Sequence, residues 1–477
     1  MKYLLNTLAA GLFLITTAAA QDTWSLERCI RHAQENNITV QQAGANVKIS
    51  ALAQQQAKAL RLPNVSATSN LGRQFGRTID PTTNQFSTTS TGYNSVNLNA
   101  GISLFNGGQI HHSVKQAGWD VQAATADAAQ TINNLALQVA RAYLNILLAS
   151  EQLKNSQRRV VQSQEQLNLT QKLIDAGTTP MAEKYNYIAQ VARDEQSVVT
   201  AQNNLDLGYL SLKQLMQLDP DFDLRIEQPV VNIPAVALSE AAAMTDLYNV
   251  ATTTQPNIQA ADFRIKSAEE GIGIARSVYY PSVSAFANLS SNYSSQFVTI
   301  TPYGEPMPGE PQTIFIDGQP VQFSTGQRAF NINKVPYFNQ LDQNFGQGVG
   351  VSINVPIYQN GRTRLSVERA RLNVLTAQMQ STQARQQLKN DIQTAIANTY
   401  ASRQQLDAAQ KTFDATTTAF QNMTKRLNLG AVNTFELTTS KINLDISEND
   451  LILAKYTYLF NLKILDFYQG KPLSLDK

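Results

Sequence analysis

The chain has 477 residues, 16% of them charged and 43% hydrophobic, with 38 basic against 36 acidic side chains, three histidines and one cysteine. That length can enclose a full core, the near-zero balance offers no basic field for nucleic acid, and the lone Cys29 excludes both an intramolecular disulfide and a cysteine-ligated metal cluster. Low charge with abundant Ala, Gln, Asn, Ser and Thr suits long packed helices or a porous wall better than a cytosolic enzyme.

The first 20 residues read as a secretory signal peptide: Lys2 is the positive end, Leu4 to Thr17 the short apolar run, and Ala18-Ala19-Ala20 the cleavage site before Gln21. No cysteine stands at that site to carry a lipid anchor. No run of 18 apolar residues occurs elsewhere, so a membrane crossing must be made by strands.

The rest is written twice. AQENNITVQQA near Ala33 precedes Pro63 of LPNVSA as ATTTQPNIQAA near Ala251 precedes Pro281 of YPSVSA, at a constant offset of 218. Further on, SLFNGG (Ser103 to Gly108) matches PIYQNG (Pro356 to Gly361), and Gly177-Thr178-Thr179-Pro180-Met181-Ala182-Glu183 matches Gly430-Ala431-Val432-Asn433-Thr434-Phe435-Glu436, both at 253. The change of 35 is one insertion between Ala287 and Gln347, whose Pro, Gly, Asn and Gln content predicts a long exposed loop. The copies are residues 21–218 and 238–477, joined by a proline-bearing extended linker at 219–237.

Each copy holds two stretches of period-two alternation, predicting strands at about 63–76 and 93–105, then 281–293 and 347–358. Val96, Leu98, Ala100 and Ile102 alternate with Asn97, Asn99 and Gly101; Val349, Val351, Ile353 and Val355 repeat the pattern. A half-buried antiparallel sheet and a lipid-facing barrel wall both give this pattern. Four strands cannot close a barrel by themselves, and an open edge cannot face lipid, so the membrane reading requires several chains to share one barrel.

Helical hairpins follow, at 107–218 and 361–468. Residues 109–176 contain no Pro and one Gly, and as a helix would run about 100 Å. Ile132, Val139, Ile146, Leu153, Val160, Leu167 and Ile174 recur every seven residues, interleaved with Leu135, Ala142, Ala149, Ser156, Ser163 and Thr170. That is a coiled-coil seam with room for close approach. The second copy carries it as Arg385, Ile392, Thr399, Leu406, Phe413, Phe420 and Leu427. Each long helix ends in a tight break, at Gly177 to Pro180 or Gly430 to Asn433.

The duplicated LFNGG and IYQNG turns, the tips LIDAGTTPMAE and RLNLGAVNTFE, and the strands LPNVSA and YPSVSA together resemble the TolC-like outer-membrane efflux proteins, over essentially the whole mature chain. The resemblance implies an α+β membrane protein. In it a homotrimer shares a 12-stranded β-barrel that continues into a helical periplasmic tunnel, with an inner-membrane pump and a periplasmic adaptor docking at the tips. It also implies the cell outer membrane as location and its lipid as a contact. Function is then passage through an exit duct for tripartite efflux or type I secretion, without catalysis, cofactor or metal.

By distance from the tip glycines, Glu436 stands where the family carries an acidic gate ring and Glu183 where a residue links neighbouring hairpins. Two positions depart from the pattern: Thr439 replaces the next ring carboxylate and Val432 the basic link, leaving Lys425 or Arg426 as substitutes. The resemblance assigns tip and adaptor docking to Gly177, Thr178, Thr179, Pro180, Lys425, Arg426, Leu427, Gly430, Ala431, Val432 and Asn433. It assigns the barrel–helix junction to Phe105, Gly107, Gly108, Tyr358 and Gly361. Phe105, Tyr358 and Tyr93 flank strands as an interfacial belt or as junction packing. The adjacent pair His111-His112 has no third metal ligand nearby and reads as interfacial polar residues. A trimeric surface stalk presenting the inserted loop is the other function class compatible with these elements. Cargo is not encoded in any motif of the chain.

Overall fold

The computed structural model describes residues 23–79, 84–88, 90–228, 240–324, 326–429, 431–432, 434–471 and 473–474. The expected signal peptide, the end of the linker, and the tip residues Gly430 and Asn433 lie outside the described residues. In chain order the elements are α1 (Leu26–Asn36), α2 (Ile38–Ala59), β1 (Asn64–Gln74), β2 (Thr78–Ile79), β3 (Phe86–Ser87), β4 (Thr91–Asn106), α3 (Gln109–Asp175) and α4 (Met181–Met216). Then come α5 (Glu240–Thr254), α6 (Pro256–Ser277), β5 (Ser282–Ser294), β6 (Val298–Pro308), β7 (Gln312–Ile316), β8 (Gln319–Phe323), β9 (Gly326–Lys334), α7 (Tyr337–Gln343), β10 (Gly346–Asn354), α8 (Arg362–Asn428) and α9 (Thr434–Tyr468). Two compact units result, residues 1–51, 119–266 and 375–477 in one and 52–118 and 267–374 in the other, each drawing on both sequence copies. No described helix is long and apolar enough to cross a membrane.

The second unit is built on a four-stranded antiparallel sheet of order β1-β4-β5-β10. Its register sorts most of the alternating residues by polarity along the central rows. Val65, Ala67, Leu98, Ala100, Ala285, Ala287, Val349 and Val351 share one face; Ser66, Thr68, Asn97, Asn99, Phe286, Asn288, Gly348 and Gly350 share the other. Phe286 is the exception in kind. A Cβ on the opposing Gly350 would come within 2.6 Å of its ring, so this glycine makes room for an aromatic on the polar face. Tyr93 likewise lies over Gly72, opposite it in the register and on that same polar face, so it is not part of a belt on the apolar one. Leu98, Val349, Val351 and Ile353 are exposed on the apolar face.

The insertion is not a loop. Residues 298–334 form two nested β-ribbons, β6 with β9 and β7 with β8, followed by the short helix α7. The Pro and Gly content that suggests a loop is spent on turns: Asp317 and Gly318, at φ 53° and 77°, make the two-residue left-handed turn that closes β7 onto β8.

The first unit is helical. Ser25 caps α1, its hydroxyl accepting from the Arg28 amide at 3.3 Å, and Leu26, Cys29 and Ala33 are buried beneath it. The described part of the linker is partly extended and packed: Ile226 forms a parallel bridge with Trp24, and the Trp24 amide donates to the Arg225 carbonyl at 2.8 Å. Tyr143, buried on α3, ties this junction from below, its hydroxyl lying 2.7 Å from the Glu227 carbonyl and 3.1 Å from that of Trp24. Along α3 the small interleaved positions Ala142, Ala149, Ser156, Ser163 and Thr170 are all buried, whereas Val160 and Leu167 on the heptad seam are only half-buried. Close helix approach, rather than bulky knobs, therefore sets the packing toward the tip. Arg385, the odd member of the second seam, directs Nη2 to both Asp262 carboxylate oxygens at 2.9 Å, tying α8 to α6. Helices α1, α2, α5, α6 and α7 have no counterpart among the expected elements.

Replacing Tyr143 by Phe removes the hydroxyl that serves the Trp24 and Glu227 carbonyls. Chemical denaturation of the detergent-solubilised protein followed by far-UV circular dichroism is expected to show a loss of about 1–2 kcal/mol.

Candidate functional site

At the first tip, α3 ends in a Schellman motif: the Gly177 amide donates to the Ile174 carbonyl at 2.8 Å, and the Thr178 amide to that of Leu173 at 2.9 Å. Gly177 sits at φ 74°, where a side chain is strained, and Gly177, Thr178 and Pro180 are exposed with Thr179 half-buried. The second tip repeats the bond at the offset of 253, the Ala431 amide donating to the Arg426 carbonyl at 2.9 Å. Lys425 and Arg426 are exposed in the last turn of α8, Leu427 and Val432 half-buried, and Ala431 exposed.

Glu183 and Glu436 each occupy the first turn of the returning helix, where the helix N-terminus favours a carboxylate. Glu183 is half-buried, and Asn186 donates to its Oε2 at 3.4 Å; Glu436 is exposed. Both tips thus present a carboxylate beside a fixed backbone turn.

Above the tips a cleft of about 360 Å³ opens between the hairpins, lined among others by Gln162, Gln166, Tyr187, Gln190, Phe420, Leu437 and Lys441. Under it lies a buried polar cluster that the sequence reading missed. Lys441 Nζ stands 3.4 Å from Asp445, and Gln190 donates to both oxygens of buried Asp194 at 3.2 Å while accepting from Arg193 at 2.8 Å. Burial pushes the Asp445 carboxyl above its ordinary 3.8, against the pull of Lys441 and Arg159 and with a further push from Asp194. Burial also raises the Tyr187 phenol. The available signal was polar residues on an inward helical stripe, Tyr187, Gln190 and Asp194 at spacings of three and four.

The strand–helix junctions also repeat. Gly107 and Gly108 have φ 64° and 84°; at the same offset Asn360 and Gly361 have 50° and 73°. Gly107 is further constrained, because a Cβ there would collide with the Ser277 backbone at the end of α6. Phe105 and Tyr358 beside these turns are exposed. One turn on, His112 Nδ1 lies 2.7 Å from Glu270 of α6, and its ring stands 5.6 Å from that of His111. Among the described residues no group of three or more His, Cys, Asp or Glu is placed to hold a metal ion.

The sequence profile of the outer membrane efflux protein family matches residues 29–216 and 247–471. The chain belongs to this family. It is 24% identical to outer membrane protein TolC of Escherichia coli (strain K12) over 335 residues, which are 69% of this chain and 59% of TolC's own length. It is 22% identical to outer membrane efflux protein BepC of Brucella suis biovar 1 (strain 1330) over 466 residues, 95% of this chain and 88% of BepC. The fold is similar to that of VceC, an outer membrane protein of Vibrio cholerae, with a TM-score of 0.72 at 16% identity, over 94% of this chain and 97% of VceC. Membership locates the chain in the outer membrane, extending into the periplasm.

The raised Asp445 pKa fixes the sign of a pH effect. The folded chain holds this proton more tightly than the unfolded chain, so its contribution to stability falls as pH rises through the interval from 3.8 to the folded value. Melting curves across that interval are expected to show a smaller gain on acidification for Asp445→Asn than for the unaltered protein; an unchanged slope would exclude the effect.

Proposed function

We propose that the chain is the outer-membrane exit duct of a tripartite efflux or type I secretion system, working as a homotrimer with a periplasmic adaptor and an inner-membrane pump. The observation that carries this reading is the sheet: one apolar face, one polar face, and two unpaired edges in β1 and β10. An apolar face suits lipid and a polar one a wet lumen, but unpaired edges cannot stand in hydrocarbon. Alternation of direction through four strands leaves β1 and β10 running oppositely, so β10 of one chain continues onto β1 of the next with antiparallel pairing throughout. Three chains supply a 12-stranded barrel, a size at which a lumen remains open.

Passage through such a duct is passive, and a gate belongs where the helical hairpins converge. Glu436, exposed in the first turn of α9, supplies one carboxylate per chain to a ring that attracts cations and repels anions. Glu183, with Lys425 or Arg426 in place of the missing basic residue, links neighbouring hairpins. The exposed tip turns, including Gly177, Thr178, Pro180 and Ala431, receive the adaptor. Phe105, Gly107, Gly108, Tyr358 and Gly361 form the barrel–helix junction, where each strand hands over to a long helix.

Planar-bilayer recording tests the reading. The purified protein is expected to pass a small cation-selective current that divalent cations block from the tip side, and Glu436→Gln to raise the current and weaken the block. A current indifferent to Glu436→Gln would remove the gate from this residue; a folded trimer that conducts nothing would overturn the duct.

A further inference from the structure

The four strands of the sheet carry one charged residue, Arg73, and the segments that adjoin them at the helical end carry charge of a single sign. The ten residues next to each strand there, 54–63, 107–116, 272–281 and 355–364, hold Lys58, Arg61, Lys115, Arg276, Arg362 and Arg364 and no acidic residue. All six are exposed. The next carboxylates along the helices, Asp120, Glu269, Glu270 and Glu368, stand further from the sheet, where Glu270 faces His112 and Lys115 and Glu368 faces Arg371. An uncharged band that ends in a basic collar has the charge pattern of a wall passing from hydrocarbon into anionic headgroups.

Beside β10 the apolar face runs into this collar. The alternation of Val349, Val351 and Ile353 continues past the last strand residue, Asn354, as Val355 and Ile357, 57% and 95% exposed. Here a cavity of about 190 Å³ opens, lined among others by Tyr279, Ile357, Tyr358 and Arg364. Tyr279 comes from the connection between α6 and β5, Tyr358 from that between β10 and α8, and Arg364 from the first turn of α8. One hollow therefore joins a bare apolar row, two phenol hydroxyls and a guanidinium. The start of α8 is fixed beside it: the Arg362 amide donates to the Gln359 carbonyl at 2.9 Å, and the hydroxyl of buried Thr363 donates to the Gln359 side chain. A site held in this way needs little ordering when a ligand arrives.

That combination selects an amphiphile with an anionic head. Arginine pairs with phosphate through parallel N–H donors, and tyrosine settles at headgroup level with its ring in the apolar layer and its hydroxyl in the polar one. The apolar row beside them takes an acyl chain. A free anion would use the arginine and leave Ile357 bare. A second copy of the chain would have to bring a surface both apolar and acidic, whereas the edge strand β1 is preceded at this end by Lys58 and Arg61.

We infer that this cavity seats the headgroup of an anionic phospholipid, with Arg364 on the phosphate, the Tyr279 and Tyr358 hydroxyls beside it and an acyl chain along Ile357, Val355 and Ile353. This rests on the duct reading above, because it needs the apolar face of the sheet in lipid. Each protomer then holds one headgroup at the base of its strands, which fixes how deep the sheet sits in the membrane.

Lipid retention tests it. The full-length protein in detergent, supplied with phosphatidylglycerol, is weighed intact by native mass spectrometry, which reads bound lipid and copy number together. The expected result is phosphatidylglycerol retained by the unaltered protein, reduced several-fold by Arg364→Gln, largely restored by Arg364→Lys, and unchanged by Arg73→Gln at the far end of β1. Equal retention by the unaltered protein and Arg364→Gln overturns the site. Displacement of the lipid by excess inorganic phosphate assigns the arginine to a free anion and overturns the lipid site. Loss of trimeric mass in Arg364→Gln alone assigns the face to a contact between copies and likewise overturns it. The duct reading is checked on a separate variant, Val351→Cys in the middle of the apolar face, treated with a water-soluble maleimide in isolated outer membranes; native Cys29 is fully buried and does not compete. Ready labelling there takes the sheet out of lipid and overturns the duct wall together with the site. Shielding there, with retention unchanged by Arg364→Gln, overturns the headgroup site and leaves the wall standing.

Discussion

The four-stranded sheet answers to its two edge strands, β1 and β10. A backbone amide or carbonyl left without a partner in hydrocarbon costs several kcal/mol, and β1 and β10 each present a row of them. Nothing in the four-stranded sheet itself can satisfy those rows. In the duct proposed above, such a two-faced sheet would be a fragment of a wall, and the chain carries the complementary edge needed to extend it. The sorting of residues between faces bears on the same constraint, since a slip of one residue would move Asn97 and Asn99 to the apolar face and Val349 and Val351 to the polar one.

The helical unit works under a different rule. Helices of 67 residues such as α3 and α8 cannot be held by a single compact core. They depend on continuous lateral packing, and the buried row of Ala142, Ala149, Ser156, Ser163 and Thr170 shows how that is managed. Small side chains bring axes together and leave space for polar contacts across the gap, as where Asn155 donates to Asn449 at 3.2 Å and Thr416 and Ser447 share a 2.6 Å bond. Such interfaces bury less apolar area than a leucine seam and are easier to slide. Lys441, Asp445, Asp194 and Gln190 concentrate that polarity under the cleft between the hairpins.

The strands of the four-stranded sheet and the long helices were legible because each obeys a single period over many residues. The tips were legible because glycine is needed at φ 74° and its neighbours must turn back at once. The insertion misled for a chemical reason: prolines and glycines that mark a loop by composition also mark ribbon ends, and the Asp317-Gly318 pair flanked by Ile314, Phe315, Ile316 and Val321 was a hairpin signal inside that noise. Helix α1 was missed although Ser25 and the buried Leu26, Cys29 and Ala33 spell a capped amphipathic helix. For α2 no comparable stripe exists, since none of its residues is buried, and periodicity had nothing to report. The Asp445 cluster escaped because burial of a charged side chain is a property of the packed hairpins, invisible in a helix considered alone.

The repeated junction, with left-handed residues at Gly107 and Gly108 and again at Asn360 and Gly361, bears on symmetry. A ring of identical single-copy hairpins would be locked into equivalence, so that any added segment would appear beside every hairpin and crowd its neighbours. Fusing two copies halves the rotational order and creates alternating positions. Only one of the two then carries the ribbon of residues 298–334, and only one places threonine and proline at Thr179 and Pro180 in its tip. In the trimer proposed above, duplication followed by fusion would thus give a closed wall two kinds of site to specialise without altering the pairing that closes it.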